Sequence, residues 1–378
     1  MLVHKLQWTR PSGWRTVRGK DISIAPQIML LFGARAALEE SDAVATLRAR
    51  YPGARLVGCS TAGEICGTDV TDDTVVAAVV QFEHTPVRVA ELPLPSMDAS
   101  SRVGEALAEA LHADDLKHVF VLSEGLQVNG SELLAGLRRR LPSHVLVTGG
   151  LAADGADFAR TCVCIDDRCA GHVVAAIGLY GDRLRVGHGS LGGWDAFGPE
   201  RVITRSAGNV LYELDGAPAL ELYKSYLGPH ASELPSSGLL FPLSVRASQG
   251  ESGVVRTILG VDEAAGSLTF AGDVPQGHLA RLMKANVDRL VDGAQGAAGA
   301  ALEAMGNPTP DLAILISCVG RKLVLKQRVE EEVESVRDVL GADAPLIGFY
   351  SYGEIAPFSG STVCELHNQT MTITTFRE

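Results

Sequence analysis

At 378 residues and 46% apolar composition, the chain is long enough to form two domains of ordinary size, each burying its own core. Its formal charge of −12 and pI near 5.3 give an acidic surface that repels a phosphate backbone, which argues against nucleic acid as a partner. No apolar run approaches the ~20 residues of a membrane span, and the N-terminal MLVHKLQWTRPSGWR lacks an apolar stretch of signal-peptide length.

The expectation is therefore a cytoplasmic protein with no membrane insertion, whose seven cysteines are reduced thiols. An odd cysteine count also argues against a full disulfide framework.

In chain order, QIMLLF (27–32) reads as a buried strand ended by Gly33. A helix over about 36–50 follows, with Ala37, Leu38, Val44 and Leu47 as its apolar stripe, and Pro52 and Gly53 stop it. ARLVGC begins a second strand that runs into STAGEI. After GTDVTDD, the run TVVAAVVQF is a third.

The same strand, helix, strand, loop, strand unit recurs as KHVFVLSEG, ELLAGLRRRL, SHVLVTGG and GHVVAAIGLYG. Within it, Arg138, Arg139 and Arg140 suit the C-terminal end of a helix dipole. Residues 184–280 depart from the pattern, with alternating RVITRSAGNVLYELDG, a helix around 217–227 and the hairpin-like VVRTILGVDEAAGSLTFAGDVP. A junction is expected near Gly228 to Pro235, where Gly, Pro and Ser thicken, giving domains 1–228 and 229–378.

A third copy follows as DLAILISCVG, a long helix over about 326–340, APLIGFYSYGEI and TMTITTF. The fold class expected is α/β, two domains built from duplicated βαβ-β units that form mixed sheets flanked by helices.

Two copies carry the same phrase, GCSTAGEI at 58–65 and GFYSYGEI at 348–355. Strand C-terminal ends are where α/β sheets bind ligands, so the phrases read as rims of a pocket. Glu64 and Glu354 either hold a ligand amine or satisfy buried turn amides. In the third copy Cys318, Arg321, Tyr350, Tyr352, Glu354, His367, Asn368 and Gln369 fall beside strand ends. They converge either as a polar ligand pocket or as a buried hydrogen-bonded network.

Cys162, Cys164, Cys169 and His172 invite a zinc reading, with Cys162 and Cys164 on one face of a strand. Their spacing departs from the usual paired C-x2-4-C, so small apolar packing is the preferred reading. Gly58-Cys59-Ser60 lacks the Gly-x-Ser-x-Gly elbow, and a Cys59 nucleophile would need a base such as His84. The second phrase puts Phe349 in that place, so no enzyme is expected and a Cys-dependent hydrolase is the outsider. Phosphate-loop and dinucleotide fingerprints are absent after the first strand.

Together GCSTAGEI, RVITRSAGNVLYELDGAPALELYKSYLG, ILGVDEAAGSLTFAGDVPQG and GFYSYGEIAPFSG with ELHNQTMTITTF resemble the FIST family, with its N- and C-terminal domains, over about residues 27–376. The resemblance implies a sensory, small-ligand-binding module in signal transduction, with amino acids or small metabolites among the ligands. SCVGRKLVLKQR and CELHNQTM are similar to the stand-alone bacterial subgroup of nitric oxide sensing haemoproteins. That subgroup implies haem, nitric oxide or redox detection, and a partner histidine kinase or other signalling protein. Without Cys-x-x-Cys-His any haem b would be non-covalent, and His367, then His188, are the axial candidates ahead of His84 and His172.

Overall fold

The computed structural model describes residues 1–17, 25–234, 236–249, 253–357 and 363–378. The first copy of the unit holds β1 (Leu2–Thr9), β2 (Gly13–Thr16), β3 (Ile28–Gly33), α1 (Arg35–Glu40), α2 (Ala43–Arg50) and β4 (Arg55–Ser60). A hairpin of β5 (Glu64–Cys66) and β6 (Asp69–Thr71) and the return strand β7 (Val75–Gln81) complete it.

The second runs β8 (Val87–Pro93), α3 (Ser100–Leu111), β9 (Leu116–Ser123), α4 (Gly130–Arg140) and β10 (Leu146–Leu151). It ends with the hairpin β11 (Val163–Ile165) and β12 (Arg168–Ala170), then β13 (Val173–Tyr180). The third opens with β14 (Arg185–Leu191) and is interrupted by an insertion.

The insertion comprises β15 (Trp194–Ala207), β16 (Val210–Leu214), β17 (Ala217–Pro218), α5 (Ala219–Leu227), β18 (Leu243–Arg246), β19 (Val254–Arg256), β20 (Ile258–Asp262), β21 (Ser267–Phe270) and β22 (Leu279–Ala285). The third copy then resumes with α6 (Val287–Ala304), β23 (Leu312–Cys318), α7 (Val319–Leu325), α8 (Val329–Leu340) and β24 (Leu346–Ser351). The hairpin β25 (Gly353–Pro357) and β26 (Cys364–His367) and the return strand β27 (Met371–Arg377) close the chain.

In each copy the two strands joined through helices are parallel, and the return strand lies antiparallel beside the first. Each hairpin leaves its own copy. The β5–β6 hairpin joins the third copy's sheet beside β24, β11–β12 joins the first beside β4, and β25–β26 joins the second beside β10. This cyclic exchange ties the copies into one body. The insertion forms a separate eight-stranded sheet with its own core around Ile203, Tyr223, Leu268 and Phe270. Residue 228 closes α5 inside that second domain, and Pro235 lies outside the described residues.

Strands of the body are apolar on both faces because both are covered. Along β3, Ile28, Leu30 and Phe32 enter a core shared with the other two sheets, while Met29 and Leu31 pack under α1 and α2. Phe120 and Leu122 of β9 and Ile314 and Ile316 of β23 enter the same shared core, where Phe32 stacks on Phe349 at 4.6 Å. The expected mixed α/β architecture is what the structure shows.

Two helices differ from expectation. Helix 36–50 breaks because the Ser41 hydroxyl donates to Ala37 O and accepts from Ala43 N–H, capping both halves. Lys326, at a φ of 51°, interrupts the expected long helix, so α8 starts only at Val329. Arg138, Arg139 and Arg140 do end α4, and the latter two pair with Glu105 of α3.

The first glycine of the repeated phrase follows from the close pairing of the parallel strands. A Cβ on Gly58, Gly149 or Gly348 would lie 2.1, 1.9 or 1.8 Å from the carbonyl oxygen of Leu31, Val121 or Leu315. Gly348→Ala is expected to cost about 2–3 kcal/mol by forcing these strands apart. Urea melts check this, as a lower midpoint with little change in slope.

One cysteine expectation is corrected. Cys164 and Cys169 face each other across the β11–β12 hairpin and are disulfide-bonded, leaving Cys59, Cys66, Cys162, Cys318 and Cys364 as buried thiols. Among the described residues no helix is long and apolar enough to cross a membrane.

Candidate functional site

The C-terminal ends of β4, β10 and β24 meet at one hub. Ala62 N–H donates to Tyr350 O at 2.8 Å, Ala153 N–H to Ser60 O at 2.8 Å, and Tyr352 N–H to Leu151 O at 3.4 Å. Each copy is thus hydrogen-bonded to the other two at this hub. The turn before each return strand is also repeated, with Asp73, His172 and Gln369 at φ values of 59°, 54° and 63°.

The glutamates of the phrase serve this frame. Glu64 accepts the Thr61 hydroxyl at 2.5 Å, and both the Thr74 N–H and hydroxyl at 3.1 and 2.7 Å. Glu354 repeats the arrangement with Ser351 at 2.7 Å and with the Thr370 N–H and hydroxyl at 3.1 and 3.0 Å. Burial pushes Glu64 up to about 7 and Glu354 up to about 8 despite these donors. Both carboxyls bridge a strand end to the return strand of the same copy. Glu64 also lines a cleft of about 210 Å³ with Arg35, Asp72, Asp73, Asp154 and Asp157.

Arg321 and Tyr350 converge, on a residue that sequence reasoning missed. Arg321 is fully buried and pairs with Glu332 at 2.8 Å, donates to Leu290 O at 2.8 Å and also bonds Gly192 O. Tyr350 and Ser317 hydroxyls donate to the other Glu332 oxygen at 2.6 and 3.1 Å. The available signal was that Glu332 stands on the apolar stripe of α8, beside Val333 and in line with Val336 and Leu340. These groups form the buried network that was one of the two expectations.

Tyr352 is directed to the second copy, where its ring stacks on Phe158 at 4.4 Å and its hydroxyl meets Asp154 and Gly155 O. The Cys318 sulfur receives the N–H groups of Gly320 and Gln369, but burial dominates and holds the thiol well above its ordinary range. Burial raises the Cys59 thiol as well, which leaves it a poor nucleophile.

Asn368 and Gln369 differ from the others. Both are fully buried at the turn before β27. The Asn368 amide nitrogen donates to Tyr352 O at 3.4 Å and the Gln369 amide nitrogen to Leu239 O at 3.2 Å, which fixes the orientation of both groups. Their carbonyl oxygens, Oδ1 and Oε1, have no donor among the described residues. The Gln369 amide lies against Gly320, where a Cβ would meet it at 2.4 Å. Gln369 O accepts from the Trp194 indole at 2.8 Å, and Arg256 of β19 donates to Leu366 O at 2.8 Å. This turn is therefore where the insertion rests on the three-copy body.

His367 and His188 are the two histidines expected as haem ligands. His367 Nε2 stands 2.9 Å from Ala356 O, and burial lowers the ring to about 4, so a neutral imidazole donating to that carbonyl fits. His188 is half-buried on β14, and its proximity adds to the burial that lowers the His118 ring. An axial ligand needs a lone pair facing room for the macrocycle. The apolar cavity in the shared core, lined by Ile28, Phe82, Phe120 and Phe376, holds only about 20 Å³. Neither His367 nor His188 lines that cavity.

Comparison with known proteins adds a family. The FIST N domain matches residues 27–217 and the FIST C domain residues 219–357. An uncharacterised protein of Mycobacterium tuberculosis is 25% identical over 367 residues, covering 93% of this chain and 91% of its own length. Another from Methanocaldococcus jannaschii is 24% identical over 82% of this chain and 62% of its own. A cyanuric acid hydrolase structure from A. caulinodans aligns with 78% of this chain and 99% of its own at 12% identity, with a TM-score of 0.19 that carries no argument.

Proposed function

The chain belongs to the FIST family, whose domains sense small ligands in signalling proteins, and on that premise we propose that it senses a small amine at Asn368 and Gln369. An amino acid or similar metabolite is the class intended. One observation carries the reading: the neighbouring residues Asn368 and Gln369 each bury a side-chain carbonyl oxygen with no donor among the described residues. Each unmet group costs about 1–3 kcal/mol, and an ammonium or amide N–H is what meets it. The acidic surface adds long-range attraction for a cationic ligand.

Signalling follows from position. Leu239 and Trp194 bring the insertion onto this turn, so a ligand there favours one placement of the insertion over another. Occupancy then changes the surface shown to a partner, a histidine kinase or other signalling protein. Haem with nitric oxide is the rival occupant and is decided by the same experiment.

Purified protein is mixed with amino acids and simple amines, each paired with its N-acetyl or hydroxyl analogue, and melting is recorded. At 100 times its Kd a true ligand adds about 2.7 kcal/mol, which moves the midpoint by several degrees. The amine should act and its analogue should not. A sharp Soret band on adding haem, shifted by nitric oxide and lost in His367→Ala, would replace this reading with the haem sensor.

A further inference from the structure

Cys162, Cys164 and Cys169 bring their sulfur atoms within 4.8 Å of one another. Cys164 on β11 and Cys162, just before it, share a buried cluster with Met29, Leu31 and Leu47, and Cys169 stands directly across the hairpin from Cys164. His172 does not join the group. Cys169 is half-buried and lines a cleft of about 440 Å³ with Glu39, Ser41 and Asp167, so solvent reaches the cluster from one side.

We infer that, once the Cys164–Cys169 disulfide is reduced, Cys162, Cys164 and Cys169 form a three-thiolate site for a thiophilic cation, Cu(I) or Zn(II). A metal at a zinc–sulfur distance of about 2.3 Å sets its thiolates about 3.8 Å apart. The three sulfurs reach that spacing by small side-chain turns once the two bonded atoms separate. Three soft donors among apolar side chains suit Cu(I) in trigonal form, and water from the cleft completes a tetrahedron for Zn(II).

A small dithiol gives two electrons and two protons to the S–S bond, yields two thiols and leaves as its own disulfide. Metal binding then displaces the thiol protons. Because binding releases those protons, it weakens as pH falls. Oxidation of the Cys164–Cys169 pair empties the site, which couples metal occupancy to redox state.

The full chain is reduced with a dithiol, desalted without oxygen, and titrated with Cu(I) against a chromophoric chelator and, separately, with Co(II) as a reporter for Zn(II). The expected result is one metal per chain, with cobalt–thiolate bands in the Co(II) arm if Zn(II) is the occupant. Affinity should fall by about tenfold or more in Cys162→Ser and in Cys169→Ser. The oxidised wild type should bind no metal there, and this comparison needs no variant to fold. Cys169→Ala, at the cleft wall, is the second check. Binding that survives oxidation or persists in both Cys169 variants would overturn the site, as would reduced protein that competes for neither metal.

Discussion

Arg321→Ala is expected to lose about 3–5 kcal/mol of stability, a large part of what a domain of this kind holds. The loss comes from what stays behind. Glu332 keeps the Tyr350 and Ser317 hydroxyls but loses its guanidinium partner while remaining fully buried, and Gly192 O and Leu290 O lose their donor. A buried carboxylate in that position must ionise at great cost or take a proton. Arg321→Met with Glu332→Leu should recover only part of the loss, because it leaves no unpaired ion but still strands the Tyr350 and Ser317 hydroxyls and the Gly192 and Leu290 carbonyls. Chemical denaturation of the two proteins checks this, and a single variant as stable as wild type would mean the pair is not closed as described.

Stability against pH provides the second large effect. Unfolded, Glu64 and Glu354 ionise near the ordinary 4.5; folded, they keep their protons up to about 7 and about 8. Between those values the folded state binds more protons than the unfolded one, so stability falls as pH rises. Each glutamate contributes about 3–5 kcal/mol that is fully present below pH ~4.5 and gone above its folded value.

Buried His118 and His367, lowered to about 3 and about 4, act with the opposite sign at acid pH, so the comparison with a variant is what isolates the carboxyl. Glu354→Gln keeps an acceptor for Thr370 and an N–H for Ser351. It should match wild type near pH 5 and exceed it progressively toward pH 8. Parallel curves would show that Glu354 is ionised in the fold.

Much of the body was legible because strands covered on both faces read as unbroken apolar runs, such as VVAAVVQ and VVAAIGLY. The hairpin exchange was not. β5 and β11 are three residues long, and β5 pairs with β24, nearly three hundred positions away, which no local pattern encodes. The repeated Glu was visible, and both of its readings were open; only the partners at Thr74 and Thr370 show what it holds. Glu332 was legible only through its place in line with Val336 and Leu340 on the apolar stripe of a charged helix, and its partners Arg321 and Tyr350 lie on other elements. Asn368 and Gln369 were picked out as neighbours of strand ends, but their unmet oxygens depend on Tyr352 and Leu239, which sequence order keeps far apart.

The most direct test is calorimetric titration of the best amine ligand into wild type, Asn368→Leu and Gln369→Met. Without ligand the two variants should melt close to wild type, since each loses one hydrogen bond and removes one unmet oxygen. With ligand, wild type should bind one equivalent per chain and each variant at least about tenfold more weakly, the worth of one hydrogen bond to a charged donor. Equal affinity in all three proteins would contradict the account and place the ligand elsewhere.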